Sequence, residues 1–295
     1  MYKSFKIIDD FVKEIYGFNL IGEPINHDIS KIKELRKAHE TIKEITQRKR
    51  KPYSNEFIKY VYPLLEISLQ WSELKKEGSI TEYFLEKCKQ RVRTPNNFYG
   101  TIFEIDMASR CILSNWDIKF SEDCTKEGRQ IDFVFYKRDN HCKVIGVECH
   151  SKRNTRNLTI QKINRAINDK AKKFEQEFIN KLGFNLDEKL LIIDITTANY
   201  SSPKILEDLD KTEMSGKLDA VIFTWREDKI DGENHSLAVK YKVIGDCDKK
   251  YFSTTYAAEL RKGPVFFVRK YIEPEPCVIK VEPEERTHRI GKQKR

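Results

Sequence analysis

Along the first 96 positions, apolar residues recur at steps of three and four, the period of an amphipathic helix. Leu35, Ala38, Ile42 and Ile45 mark one helix within Asp28–Arg50. Phe57, Val61, Leu64, Leu65 and Leu69 mark another, which Ser54 is placed to cap and Gly78 to end. Ser79-Ile80-Thr81-Glu82 reads as the capping box of a further helix. Thr94-Pro95 then opens a helix running to about Leu113, with Pro95 suited to its first turn. Phe98, Ile102, Ile105, Ser109 and Ile112 share one face of it, and Tyr99, Asp106 and Arg110 form its polar strip. At about 100° per residue, Glu104 falls on neither, among Gly100, Met107, Ala108 and Cys111. A carboxylate in such a place needs a partner, either a base or a metal.

Beyond Leu113 the period changes to two and to short continuous apolar runs. Asp117–Ser121, Gln130–Tyr136 and Lys143–His150 read as three successive strands. A long helix is expected from Thr159 to Leu182, with Ile160, Ile163, Ile167, Ala171, Phe174, Phe178 and Leu182 on one side and Gly183 as its stop. Leu190–Ile195 is apolar throughout, as a strand buried on both faces should be. Leu218–Trp225, Leu237–Ile244 and Val265–Tyr271 read as further strands, with a short helix over Lys204–Lys211. The pattern predicts an α/β protein in three parts. Residues 1–96 form an all-helical module, 97–272 the α/β domain, and 273–295 a basic, proline-containing tail.

Composition narrows the class. Charged residues reach 34%, but 11% aromatics and 39% hydrophobics provide for a packed core. The net charge of +9 favours a polyanionic partner, with solvated lysine faces as the plainer account. The run Arg48-Lys49-Arg50-Lys51 has the same two readings. The amino terminus carries acids and no long apolar run, so neither a signal peptide nor a membrane span is expected. Seven cysteines, an odd number, are most simply reduced thiols in a cytoplasmic protein.

The candidate chemistry lies between Tyr99 and Lys152. On the third strand, alternation puts Val144, Gly146, Glu148, His150 and Lys152 on one face. On the second, Asp132 faces away from Ile131, Phe133 and Phe135. If the two strands pair, Asp132 and Glu148 converge at one end of the sheet. Converging carboxylates repel, and a hard divalent cation removes that penalty. A cationic side chain two residues past the second acid is placed to orient water or support developing charge.

The order of elements and these acids resemble the PD-(D/E)XK nuclease superfamily. Its restriction-endonuclease-like core runs helix, three strands, helix, strand, over a mixed central sheet. Asp132 matches the acid of its second strand, Glu148 the acid of its third, and Glu104, in Gly100-Thr101-Ile102-Phe103-Glu104, the glutamate of its first helix. The resemblance covers roughly residues 97–196. It implies a metal-dependent nuclease acting on DNA, with Mg²⁺ or Mn²⁺ held by Glu104, Asp132 and Glu148. One position departs: His150 stands where the motif has lysine, and Lys152 is the next cation on that face. Either His150 or Lys152 takes over the missing role beside Asp132 and Glu148, or the fold is retained for binding nucleic acid or a partner without catalysis.

Basic residues flank the candidate site. Lys152, Arg153 and Arg156 follow the third strand, and Lys162, Arg165, Lys170, Lys172 and Lys173 lie on the next helix. Of these, Lys152, Arg153, Arg156, Lys162 and Arg165 are the expected phosphate contacts. The helical module is expected to grip nucleic acid, a second copy of the chain or another protein. Rival chemistries find no support: there is no glycine-rich phosphate loop and no nucleophile elbow, and Cys142-x6-Cys149-His150 lacks structural zinc spacing.

Overall fold

A computed structural model describes residues 3–21, 24, 33–47, 49, 56–114, 116–124, 130–137, 143–152, 157–183, 185–196, 204–231, 234–247, 257–260 and 267–270. Ser54, the basic run apart from Lys49, Arg153, Arg156 and the tail from Glu273 lie outside the described residues.

Among the described residues, five helices come first: α1 (Lys3–Tyr16), α2 (Lys33–Thr46), α3 (Tyr62–Lys76), α4 (Glu82–Val92) and α5 (Pro95–Leu113). A π-helical turn, Phe57–Val61, leads into α3. Thr81 caps α4 by accepting from Phe84 N at 3.1 Å, so the cap sits two residues after the expected Ser79. Gly78 does end α3, at the left-handed φ of 69°.

The strands are β1 (Asp117–Phe120), β2 (Phe133–Tyr136), β3 (Val144–Ser151), β4 (Glu188–Asp194), β5 (Ala220–Asp231) and β6 (Asn234–Gly245). They form one mixed sheet in sequence order. β1, β2 and β3 are antiparallel, β3, β4 and β5 are parallel, and β6 returns antiparallel to β5. Two short strands, β7 (Ala257–Leu260) and β8 (Phe267–Lys270), extend the edge, and β7 has no counterpart among the sequence expectations. The crossover from β3 to β4 carries helix α6 (Ile160–Ala171), capped by Thr159.

The expected single helix from Thr159 to Leu182 is broken. After α6 come a 3-10 turn (Lys172–Phe174), a single helical turn (Gln176–Ile179) and another 3-10 turn (Asn180–Leu182), before Gly183 stops the chain at φ 70°. Glu175 is extended at the break. The bend seats Phe174 over Gly146 of β3: a Cβ on that glycine would stand 3.3 Å from Phe174 Cε1 and only 2.5 Å from Leu186 Cδ1. Helix–sheet packing at a residue without a side chain therefore overrides the helical period.

Two apolar clusters fill the two faces of the sheet. On one face, Ile163, Ile167, Ala171 and Phe174 pack on Val134, Leu191, Ile193, Val221 and Phe223. On the other, Phe133, Phe135, Ile145, Val147, Leu190 and Ile192 join a cluster that continues through α5 into Phe84, Trp71, Leu35 and Phe5. The amino-terminal helices thus share one core with the sheet.

That packing corrects the expected polar strip on α5. Asp106 and Arg110 are buried, not solvated, because α3 lies against them. Arg110 Nε donates to Asp106 Oδ1 at 2.9 Å and Nη2 lies 3.6 Å from Glu66 Oε1. Gln70 Nε2 donates to the same Asp106 oxygen at 2.5 Å. The strip faces a second polar strip, and the two pair with each other inside the core. No described helix is long and apolar enough to cross a membrane. The described cysteines, Cys88, Cys111, Cys124, Cys149 and Cys247, are free thiols.

Candidate acidic site

Antiparallel pairing of β2 and β3 sets the site. Phe133 lies opposite Val147, so one step further along each strand brings Asp132 to Glu148. β2 proper begins at Phe133, later than the expected Gln130, and alternation breaks at Asp132: Ile131 packs on the α6 side and Phe133 on the α5 side. Asp132 N donates to Val147 O at 2.9 Å, and Asp132 Oδ2 accepts from Cys149 N at 2.6 Å. The carboxylate is therefore tied to the backbone beside Glu148.

Glu148 is fully buried, and two ammonium groups close on it. Lys170 Nζ donates to Oε1 at 2.6 Å and Lys173 Nζ to Oε2 at 2.7 Å. Lys173 Nζ also lies 3.8 Å from Asp132 Oδ1, so one ammonium bridges the two acids. Lys170 comes from the last turn of α6 and Lys173 from the 3-10 turn after it. Burial pushes Glu148 up from 4.5 to about 7, and Asp132 adds to the rise, while Lys173 and Lys170 work against it. Burial disfavours the Lys173 ammonium, yet Asp132 and Glu148 hold its pKa above the ordinary lysine value.

Glu104 is buried on α5, as its helical phase predicts, and its partner is a base. Arg91 Nη1, from α4, lies 2.9 Å from Glu104 Oε2 and 3.2 Å from Glu122 Oε1. Burial raises the Glu104 pKa well above its usual value; Arg91 opposes this, and Asp132 and Glu122 reinforce it. Glu104 Oε1 and Glu122 Oε2 are buried with no hydrogen-bond partner.

His150 and Lys152 follow Glu148 along β3 and its end. Burial, together with Lys152, Lys170 and Lys173, pushes His150 down to about 3, which favours the neutral ring at physiological pH. Lys152 is half-buried and lowered, first by burial and then by Lys170. The cations in contact with Glu148 are Lys170 and Lys173 instead. The sequence shows them as two lysines three apart beside the apolar stripe of α6, but only the bend after Ala171 turns Lys173 towards the sheet. Arg91 and Glu122 carry no local signal, since their partners lie on other elements. Lys162 and Arg165 stand exposed on α6.

Among the described residues, no three of His, Cys, Asp and Glu gather as a ready metal cage. Glu104 is held by Arg91, whereas Asp132 and Glu148 share Lys173. The pair Asp132–Glu148 nonetheless fits Mg²⁺ by its donors: Mg²⁺ takes one or two carboxylates and completes its shell with water and phosphate oxygens. The bridging Lys173 ammonium lies between these same two carboxylates. Compared with known proteins, the chain matches no family model, no curated protein and no solved structure.

Proposed function

We propose that the chain is a metal-dependent nuclease that hydrolyses phosphodiester bonds, with DNA as substrate. The observation that carries this reading is the single ammonium shared by Asp132 and Glu148 at the paired ends of β2 and β3. A buried and a partly exposed carboxylate that share a cation offer a site for a small hard cation at the end of a sheet. The element order, α5, three antiparallel strands, α6 and a parallel strand, agrees with the order the PD-(D/E)XK resemblance requires. When bound at Asp132 and Glu148, Mg²⁺ or Mn²⁺ supplies an activated water and neutralises charge on the phosphoryl group. Lys170 and Lys173, released from Glu148, bind phosphate oxygens and carry the charge support that the motif assigns to the residue two after the second acid. His150, neutral, offers a ring nitrogen that orients water. Lys152, Lys162 and Arg165 hold the nucleic-acid backbone without reading sequence.

A second reading has its own observation: both oxygens of Glu148 are already held by lysine, in a fully buried position. On that reading the lysines are permanent counter-ions, and the protein binds nucleic acid or a partner without cutting. Incubation of plasmid and single-stranded DNA with the protein and Mg²⁺ or Mn²⁺ separates the two. Cleavage that disappears in Asp132→Ala and Glu148→Ala supports the nuclease. Cleavage that survives both removes this site from consideration. Salt-sensitive binding with no cleavage at any divalent concentration selects the second reading.

A further inference from the structure

Asp132 stands one residue before β2 begins, and bonds from both neighbouring strands hold it. On the β3 side, Asp132 N donates to Val147 O at 2.9 Å and Oδ2 accepts from Cys149 N at 2.6 Å. On the β1 side, Ser121 N donates to Asp132 O at 3.0 Å, one step past the last β1–β2 pair, Phe120 and Phe133. Alternation breaks at Asp132, with Ile131 and Phe133 on opposite sides of the sheet. A break of this kind re-aims a side chain, and the bonds on either side fix its new direction.

Ser121 opens the 3-10 turn Ser121–Asp123, which Cys124 N closes by donating to Ser121 O at 3.0 Å. Helix α4 clamps this turn. Thr81, the α4 cap, donates through its hydroxyl to Asp123. Arg91 Nη1 lies 3.2 Å from Glu122 Oε1. Phe84 stacks on Phe120 with ring centres 3.7 Å apart, and Phe120 meets Phe133 edge-on at 6.1 Å. Contacts thus run without a gap from α4, through the turn, to the backbone of Asp132. The side chains of this joint do not all pair. Among the described residues, Arg91 Nε and Nη2, Glu104 Oε1, Glu122 Oε2 and the Ser121 hydroxyl are buried with no hydrogen-bond partner. Ser121 therefore acts through its backbone N–H and not through its side chain.

We propose that Ser121 is a positioning residue for Asp132: its N–H, steadied by the α4 clamp, holds the Asp132 carboxylate against Cys149 N. The placement stands apart from any reaction, and the use made of Asp132 rests on the nuclease reading above.

Ser121→Pro removes the N–H at a place that accepts proline. Ser121 is the first residue of the turn, and Phe120 before it is extended at φ −71° and ψ 140°. Ser121→Ala keeps the N–H. The full chain, labelled with ¹⁵N-cysteine, is read by amide hydrogen exchange, and the Cys149 signal is assigned by its loss in Cys149→Ala. Cys88 and Cys111, buried in α4 and α5, report general destabilisation in the same spectrum. Ser121→Pro is expected to speed Cys149 exchange about 3- to 10-fold relative to Cys88 and Cys111, the scale of one hydrogen bond. Ser121→Ala is expected to leave it as in the parent. With DNA and Mg²⁺, Ser121→Pro is expected to lower kcat about 10- to 100-fold with KM little changed. Parent-like Cys149 exchange in Ser121→Pro overturns the proposal, as does a loss shared equally by Cys88 and Cys111 or matched by Ser121→Ala. If Ser121→Pro does not fold, the parent decides. Equal protection of the Ser121 and Cys149 amides supports the proposal, and a freely exchanging Ser121 amide beside a protected Cys149 overturns it. Parent protein that cuts no DNA removes the nuclease reading and leaves the Cys149 readout to decide the placement.

Discussion

Replacing Glu148 by glutamine offers a direct measure of what the burial of this carboxyl does. In the folded protein its pKa stands at about 7, against an ordinary value of 4.5, because burial outweighs the two lysines that hold it. The folded state therefore binds this proton more tightly than the unfolded chain. The stabilisation that follows is complete below pH 4.5, declines as pH rises, and is gone once pH passes about 7. One pKa unit is worth about 1.4 kcal/mol, so wild type should lose about 3 kcal/mol relative to Glu148→Gln across that window. The assay is urea unfolding at half-unit pH steps with a chelator present, comparing the slopes of stability against pH. Any cost of the substitution common to all pH values drops out of the slope. Parallel curves for the two proteins between pH 4.5 and 7 would refute the reasoning: Glu148 would then be no more desolvated than in the unfolded chain.

Three further outcomes are expected. Lys173→Met removes the shared ammonium, which should destabilise the metal-free protein by about 2 kcal/mol, the scale of a lost hydrogen bond to a buried charge; Mn²⁺ should restore more stability to this variant than it adds to wild type, as read by thermal unfolding. Arg110→Met leaves Asp106 and Glu66 buried without their cation, at a cost of about 3–5 kcal/mol, measurable by denaturant unfolding. Gly146→Ala drives a methyl into Leu186 and Ile131, so a loss of about 1–3 kcal/mol is expected in the same measurement, with Phe174 displaced in a structure of the variant.

Periodicity located most elements because each buries a face whose spacing is local. Glu104 was legible for the same reason: its phase on α5 excluded it from the solvent side, and it is buried. Asp132 and Glu148 were legible as strand-end acids, and the β2–β3 register brings them together. What escaped depended on pairing between distant segments. Asp106 and Arg110 look like a solvent strip until Gln70 and Glu66 arrive from α3. Lys170 and Lys173 look like ordinary helix lysines until the seat of Phe174 on Gly146 bends the chain. His150 looks like a substitute cation until its burial beside three lysines is known. In each case the side chain's charge was visible and its environment was not.

The core that runs unbroken from Phe5 through α5 to the sheet has a consequence for how the molecule comes apart. Helices that bury their apolar faces in the same cluster as Phe133 and Val147 have no independent unit to retreat to. The two regions should therefore melt in a single transition, and a fragment lacking the first 92 residues would present the bared side of α5 to solvent. The amino-terminal helices are then not a cassette that can be exchanged between sheets of this kind. Changes to their buried residues act on the one cooperative interior that also holds Phe133 and Val147.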